Sequence, residues 1–276
     1  MHVHPPTNEV LVKSFGKYGA QHKDFFRMER LVTSIDDMIE EFDRAGVEKA
    51  VLLGWDAETG SGLPRVPNEY VAGLVDKAPD RFIGFAGVDP HKGKDAEIEL
   101  RRSVTDLGLC GVKLHPIVQR FFPNDERFYP LWRTCEELEI PVLFHTGMGA
   151  WGAGLPGGDG YKLKYANPML LDDVAADFPD LKIIAAHPSW PWQDEILAVA
   201  MHKGNVFMDL SGWSPKYFPP VLIQYLKGPL KHKFLFGTDY PFIRPERWLS
   251  DFEQLRLSEE VKKMVLDTNA RRLLAL

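Results

Sequence analysis

The feature that most constrains the fold of this chain is a regular alternation of short apolar runs with amphipathic stretches of helical length. The apolar runs are rich in Val, Ile, Leu and Phe, and they lack the polar–apolar alternation of a strand with one face in water. They occupy residues 49–55, 82–88, 111–116, 141–147, 182–188, 205–212 and 233–241. Their nearly continuous apolar character predicts parallel strands that are covered on both faces.

The stretches between the runs have the periodicity of α-helices. In residues 34–47 the apolar side chains fall on one stripe, and Ser34 is positioned to cap the helix. Comparable stretches cover residues 95–108, 125–140, 169–180, 192–204 and 258–276. Strands that alternate with helices predict a parallel sheet built from strand–helix–strand units.

The number of strands decides between a closed and an open sheet. If MHVH at residues 1–4 ends a first strand, the count is eight, which predicts an α/β fold of the (β/α)8 TIM-barrel type, a single domain over residues 1–276. An open doubly wound sheet is the alternative. No GxGxxG or GxxxxGK(S/T) motif follows any of the strands, which favours the barrel.

Composition narrows the class of partner. The 33 basic and 39 acidic residues give a net charge of −6 that is spread along the chain, which disfavours nucleic acid or a membrane as the main partner. We therefore expect a small-molecule substrate. Cys110 and Cys135 are too few for a disulfide framework, and no signal sequence or membrane span is recognisable. The expectation is a cytoplasmic protein that forms a homo-oligomer such as a dimer.

Side chains with chemical function gather where the predicted strands end. His115, His145, His187, Asp209 and Asp239 lie at or near the carboxyl ends of five different runs. In a barrel these ends share one rim, and active sites of this architecture are built there. Residues that are distant in sequence are therefore predicted to be neighbours.

The first four residues supply two more candidates. His2 and His4 are two residues apart, so in a strand both side chains would point to the same side. With His145 and Asp239 they form a set of three imidazoles and one carboxylate that suits a divalent cation, with Zn²⁺ favoured and Mn²⁺ or Fe²⁺ also compatible. Taken singly, these residues fit a frayed terminus, a core histidine or a capping aspartate. Their shared position at strand ends favours the metal site.

The neighbouring polar residues have expected roles of their own. His187 is favoured as a catalytic acid or base over a further metal ligand or a structural histidine. Lys113 and His115 share one face and are candidates for substrate binding, although Lys113 pairing with a rim carboxylate is equally compatible. Asp209 and Ser211 are expected to orient the metal ligands from behind. The default for His22, His91, His202 and His232 is the surface.

Tryptophans also follow the predicted strand ends. Trp151, Trp190 and Trp213 would suit an aromatic or planar substrate, although the packing of long loops would explain them too. The glycine-rich segment 147–168 is predicted to form a lid that brings Trp151, Lys162 or Lys164 to the substrate.

These motifs resemble a known family. The HxH of residues 2–4, FHTG at 144–147, AHP at 186–188, FGTDYP at 236–241 and NARRLL at 269–274 are similar to those of the amidohydrolase superfamily, in its amidohydrolase-2 branch. The resemblance spans the whole chain. It implies a metal-dependent (β/α)8 barrel in a branch that includes hydrolases, lactonases and non-oxidative decarboxylases.

The resemblance also assigns residues. It implies His2, His4, His145 and Asp239 as metal ligands and His187 as the catalytic histidine. Stretches such as VDPHKG at 88–93 further resemble 4-hydroxyphenyl-β-ketoacyl-CoA hydrolases of aromatic side-chain catabolism. One departure is that only Met1 precedes the HxH, where the family has several apolar residues and commonly an acidic one. Either upstream residues complete the first strand or this strand is unusually short.

The function expected from this set is hydrolysis by a metal-activated water, with Asp239 and His187 handling protons, on a small aromatic, carboxylate or thioester substrate. Two alternatives remain. A metal-dependent decarboxylase would use the same residues, with His187 or Asp239 protonating carbon, and would release CO₂ without water uptake. A non-catalytic barrel that binds a ligand or partner would lack the metal.

Overall fold

Eight short parallel strands form one sheet in which neighbours in sequence are also neighbours in space. The computed structural model describes residues 1–276. Its strands are β1 (His2–Val3), β2 (Ala50–Leu53), β3 (Phe82–Gly87), β4 (Val112–Leu114), β5 (Val142–His145), β6 (Ile183–Ala186), β7 (Val206–Asp209) and β8 (Phe234–Leu235). β1 lies in the MHVH segment, and each of the other seven strands lies within one of the predicted apolar runs.

The first and last strands meet and close the sheet. Val3 forms a parallel bridge with Tyr240, and the amide of His4 donates to the Tyr240 carbonyl over 2.8 Å. The amide of Asp239 donates to the carbonyl of His2 over 3.2 Å. The closed barrel is the predicted α/β fold, and that prediction is confirmed.

Helices surround the barrel and connect its strands. They are α1 (Lys17–Phe25), α2 (Ile35–Ala45), α3 (Glu58–Ser61), α4 (Asn68–Lys77), α5 (Lys94–Thr105), α6 (Pro116–Gln119), α7 (Tyr129–Glu137), α8 (Leu170–Asp177), α9 (Gln193–His202), α10 (Pro220–Lys227), α11 (Pro245–Glu253), α12 (Glu259–Lys263) and α13 (Asn269–Leu274). As the sequence predicts, the Ser34 hydroxyl caps α2 by accepting from the Asp37 amide over 2.9 Å. None of the helices is both long and apolar enough to span a membrane.

The carboxyl-terminal helix differs from its prediction. The sequence predicts one helix over residues 258–276, whereas a wider helical turn, Met264–Thr268, separates α12 from α13. The carbonyl of Val265 in this turn accepts from the Phe236 amide over 3.0 Å, and the Asn269 side chain donates to the Phe234 carbonyl over 2.8 Å. These bonds provide partners for backbone groups on the edge of β8 that the short β1 does not reach.

The barrel interior is divided into an apolar lower part and a polar rim. Leu143, Ile184 and Leu235 belong to a small buried cluster contributed by several strands. Side chains two residues apart in a strand point to the same side, so His145 stands directly above Leu143. The same alternation directs the polar residues at the other strand ends into the barrel mouth.

Candidate active site

The short first strand and the turn after β8 bring three metal-binding side chains together. His2, His4 and Asp239 are all buried, and one ligand atom from each lies within 4.8 Å of the others. The Nε2 atoms of His2 and His4 are each 3.3 Å from Asp239 Oδ1. Asp239 has a left-handed φ of 64°, which the barrel-closing hydrogen bonds to the first strand hold in place.

Several polar atoms at this rim are buried without a hydrogen-bond partner. They include His2 Nε2, His145 Nε2 and Asp239 Oδ1. Unpartnered buried polar atoms are rare in proteins because each loses its hydration without compensation. Imidazole nitrogens and a carboxylate oxygen are the donor types of a divalent transition metal, so this group of atoms fits such an ion.

His145 lies at the same rim but is not part of the three-residue group. Its ring stacks on that of His115 with centroids 3.9 Å apart, and it lies 4.7 Å from the ring of His187. A Cβ on Gly149 would stand 2.9 Å from His145 Nε2, so the following loop passes closely over this ring because residue 149 is glycine. The structure thus brings three of the four predicted ligands within metal-binding distance and sets the fourth beside them.

Asp209 and Ser211 fix the ring orientations of two histidines. Nδ1 of His2 donates to the Asp209 carboxylate, and the Ser211 hydroxyl lies 3.1 Å from the same nitrogen. Nδ1 of His187 donates to the Ser211 carbonyl over 2.9 Å. In both rings Nδ1 therefore carries the hydrogen, which leaves Nε2 free as an acceptor.

The pKa values of this group follow from burial and close charge. Burial raises the pKa of the Asp209 and Asp239 carboxyls, but contacts with their histidine neighbours outweigh it and lower both pKa values, that of Asp239 well below its usual range. Burial lowers the pKa of His187 to about 4 and that of His145 well below its ordinary value. The aspartates are therefore ionised and these two rings neutral near pH 7.

A cavity of about 570 Å³ opens above these residues, within the range of small-molecule sites. Its aromatic wall includes Trp55 and Trp151, stacked with centroids 5.2 Å apart and planes 8° from parallel. Lys113 lines the same cavity, is 3% exposed and forms no ion pair or hydrogen bond. Burial lowers the pKa of Lys113 to about 8, while the carboxylates of Asp239 and Asp209 oppose that shift.

Most of the residues expected to bind substrate line this cavity. Lys113, His115, Trp151 and Trp213 do so. The expectation for Trp190 is wrong, since that side chain is 46% exposed and faces an outer groove. The turn after β6, in which His187 and Ser189 have left-handed φ values of 77° and 61°, carries the chain outward.

The lysines of the glycine-rich segment also lie away from the cavity. Lys162 and Lys164 are exposed, and Lys164 packs over the ring of Phe122 instead. Of the three side chains expected to reach the substrate from this segment, Trp151 lines the cavity, whereas both lysines point outward.

The sequence missed one histidine of the cavity wall. His22 is 3% exposed and lines the cavity, although its position in a predicted loop suggested the surface. The spacing of Tyr18 and His22, one helical turn apart and close to Phe15 and Phe26, was the signal of a buried helix face. His91, His202 and His232 are exposed as expected.

Comparisons with known proteins agree on the family to which this chain is similar. The family model described as amidohydrolase (Amidohydro_2) matches residues 1–276. A curated gamma-resorcylate decarboxylase from Polaromonas sp. is 24% identical over 322 residues, covering 99% of this chain and 97% of the relative. A crystal structure of an uncharacterized TIM-barrel protein from Bordetella bronchiseptica is 29% identical, with a TM-score of 0.83 and coverage of 100% of this chain and 99% of the other.

A third match contains a bound metal. The crystal structure of a dihydroxybenzoic acid decarboxylase from Polaromonas sp. holds manganese and the inhibitor 2-nitroresorcinol. It is 23% identical, with a TM-score of 0.70, and covers 100% of this chain and 95% of that protein. At this identity the match establishes the shared fold.

These relatives correct the function that the sequence alone predicts. The expected hydrolase is contradicted, because the curated relative that spans nearly the whole chain is a decarboxylase. The narrower resemblance to 4-hydroxyphenyl-β-ketoacyl-CoA hydrolases is likewise unsupported, since the relatives are decarboxylases of aromatic acids. The metal, the barrel and the aromatic chemistry expected from the sequence agree with the family.

Proposed function

We propose that this chain, which belongs to the amidohydrolase family, is a metal-dependent decarboxylase of small aromatic acids. The observation that carries the proposal is the unpaired ammonium of Lys113, buried in an aromatic-walled cavity beside His2, His4 and Asp239. A buried cation without a partner is costly, which favours an anionic ligand at this position. Because the curated relative is a decarboxylase of an aromatic acid, we take this anion to be the carboxylate of the substrate.

The proposed ligands of the metal are His2, His4 and Asp239, with His145 as a fourth. Their unpartnered nitrogen and oxygen atoms support this assignment. A divalent cation bound there would act as a Lewis acid that holds and polarises oxygen atoms of the substrate. The bound manganese of the Polaromonas structure favours Mn²⁺ beside the Zn²⁺ expected from the ligand types.

The substrate would be held by charge at one end and by its ring faces elsewhere. Lys113 would pair with the carboxylate, and His115, buried and neutral, lies on the same wall. Trp151 and Trp213 would contact the aromatic ring. These contacts exclude water from the ring carbon that carries the carboxylate, where a proton must arrive in place of CO₂.

His187 is the proposed proton carrier. In the reaction the bond between ring carbon and carboxylate breaks, the electron pair stays on the ring carbon, and a proton is delivered to that carbon as CO₂ leaves. Asp239 is the less suitable donor, because its ionised carboxylate is a proposed metal ligand. Nε2 of His187 carries no proton near pH 7, so it would take one up from solvent and pass it to the ring carbon. The lowered pKa makes the protonated ring a strong acid toward carbon.

Asp209 and Ser211 would act through the two histidines. The carboxylate of Asp209 directs Nε2 of His2 toward Asp239, and the Ser211 carbonyl holds Nδ1 of His187 and leaves its Nε2 free. Both residues are therefore proposed as positioning residues without contact to substrate.

The test is a direct assay of CO₂ release. Purified protein loaded with Mn²⁺ or Zn²⁺ is incubated with carboxyl-¹³C-labelled hydroxybenzoates in D₂O. The expected result is labelled CO₂ together with one deuterium at the ring carbon that lost the carboxylate. Lys113→Met should raise KM strongly, whereas Lys162→Met, which alters an exposed lysine of the loop, should not. Absence of labelled CO₂ across the panel would refute the proposal.

A further inference from the structure

His22 presents a single free acceptor atom to the cavity. The residue lies on α1, and its ring packs between three aromatic rings, with centroids 5.5 Å from Phe15, 5.5 Å from Trp151 and 5.2 Å from Phe242. It is 3% exposed and lines the cavity. The packing holds the ring in one orientation.

A backbone contact fixes which nitrogen of His22 carries the hydrogen. Nδ1 lies 2.7 Å from the Tyr18 carbonyl oxygen, one helical turn earlier. A carbonyl oxygen can only accept, so Nδ1 must donate, and the neutral ring has a bare lone pair on Nε2. Nε2 has no hydrogen-bond partner in the protein. Burial lowers the pKa of His22 to about 4, so this neutral tautomer is the form present near pH 7.

His22 stands about one aromatic ring away from the candidate metal ligands. Phe15 and Phe242 contact His22 on one side and His4 on the other, with both rings 5.9 Å from that of His4. A planar acid whose carboxylate lies near Lys113 and the ligands would therefore extend a ring substituent toward His22. An acceptor at this position discriminates between substituents by whether they carry a hydrogen to donate.

We propose that Nε2 of His22 accepts a hydrogen bond from a ring hydroxyl of the substrate, so that the site selects hydroxylated aromatic acids. The inference rests on the proposed function in taking the ligand to be an aromatic acid. A hydroxyl at the matching position binds, whereas hydrogen, methoxy or halogen there leaves Nε2 without its donor. A purely structural His22 would need only the Nδ1 bond to Tyr18 and would not distinguish these ligands.

Two variants test the roles of the two ring nitrogens of His22 separately. His22→Asn has an amide that can replace the Nδ1 donor to the Tyr18 carbonyl, but it has no atom at the position of Nε2. His22→Gln reaches that position with an amide oxygen. The probes are nitrobenzenes, which carry a nitro group in place of the carboxylate and cannot lose CO₂. The set comprises 2-nitrophenol, its four derivatives with a second hydroxyl, and the matching methoxy compounds.

Dissociation constants are measured by calorimetry on metal-loaded protein. The parent should bind one dihydroxy compound at least about tenfold more tightly than 2-nitrophenol, the value of one buried hydrogen bond, and its methoxy counterpart should lose this gain. His22→Asn should abolish the preference, and His22→Gln should retain part of it. Metal content and melting temperature are recorded for each variant, and the methoxy comparison needs no variant to fold.

The outcomes distinguish this inference from the proposed function. No hydroxyl preference in the parent, or a preference unchanged in His22→Asn, overturns the role of His22 even if the protein releases CO₂. A preference that His22 controls, in a protein that releases no CO₂ from any matching acid, supports the inference and refutes the decarboxylase.

Discussion

At the scale of single residues, several buried histidines leave Nε2 without a hydrogen-bond partner. Nδ1 is occupied in His2, His22 and His187 by an aspartate or a backbone carbonyl, so that Nε2 is free. In His145 it is Nε2 that lacks any partner although it is buried. The partner of Nδ1 is a carboxylate for the proposed metal ligand His2 and a backbone carbonyl for His22 and His187, which are proposed to meet the substrate.

His145 is the ligand with the weakest geometric support, so its test is the most informative. His145→Ala should lower the metal content below about one equivalent, because one of the four proposed donor side chains is lost. Elemental analysis of protein purified without chelator measures this. His115→Ala is the matched control, since His115 stacks on His145 yet is not a proposed ligand, and it should keep its metal. Full occupancy in His145→Ala would leave only His2, His4 and Asp239 as ligands.

His187 is expected to act on substrate and not on the metal. His187→Asn preserves an amide donor for the Ser211 carbonyl but removes Nε2. Turnover should fall by at least about 10²-fold, the usual contribution of a positioned acid or base, while metal content stays at the parental level. Metal loss in this variant would instead make His187 a ligand.

Sequence reasoning succeeded for residues whose direction a strand determines. His2 and His4 share one side because they are two apart, and His145, Asp209 and Asp239 reach the rim because parallel strands share their ends. It failed for Trp190 and His22. Their burial depends on how a turn and a loop helix pack, and neither periodicity nor strand position encodes that.

At the scale of elements, the strands were predictable because an apolar run covered on both faces has few alternatives. The boundaries between α12, the turn and α13 were not, since the bonds of Val265 and Asn269 to β8 depend on the closed barrel. Those bonds also compensate for the short first strand. β1 has two residues, and the carboxyl-terminal segment supplies hydrogen-bond partners to β8 at the positions where a longer β1 would pair.

The glycine-rich loop 147–168 is tied to α1, which the sequence did not predict. The Gln21 amide donates to the carbonyls of Ala150 and Ala153 over 2.9 Å each, and Asp159 pairs with Lys17 over 2.7 Å. Trp151 is buried under this connection and faces the cavity. The position of one cavity wall thus depends on bonds between α1 and the loop 147–168.

Gln21→Leu is expected to loosen this loop. Two hydrogen bonds of about 1 kcal/mol each are lost, so KM for the substrate should rise by up to about thirtyfold with little change in metal content. Lys162→Ala, an exposed change in the same loop, is the control and should leave the kinetics unchanged. Parental KM in Gln21→Leu would show that the Lys17–Asp159 ion pair and the packing of Trp151 are sufficient to hold the loop. Shortening residues 152–160 is the harsher test, because it also removes Asp159.

At the scale of the whole molecule, the barrel gathers histidines that the unfolded chain would expose. Six of the nine, His2, His4, His22, His115, His145 and His187, are buried. The pKa is lowered in all of them except His2, chiefly by burial. Assembly of one site thereby makes the stability of the entire fold depend on pH.

The direction of that dependence follows from proton counting. Between its unfolded pKa of 6.5 and its folded pKa of about 4, His22 binds a proton in the unfolded chain but not in the native one. The free energy of unfolding therefore rises with pH in this window and falls on acidification, by up to about 1.4 kcal/mol per pH unit for each such histidine. The loss begins near pH 6.5 and is complete below about pH 4.

His22 allows this to be measured for a single group, since it is buried and is not a proposed metal ligand. Urea unfolding of the parent and of His22→Gln is followed at several pH values from 7 to 4, with chelator present so that metal binding contributes nothing. Glutamine is similar in size and does not titrate, so the parent should lose stability faster, and the difference between the two proteins should change by about 3 kcal/mol over the window. Parallel curves would mean that His22 takes up its proton equally readily in the folded and unfolded chains. In that case the His22 ring would be protonated near pH 5, and its Nε2 could no longer accept a hydrogen bond. The preference for hydroxylated ligands should then weaken at that pH.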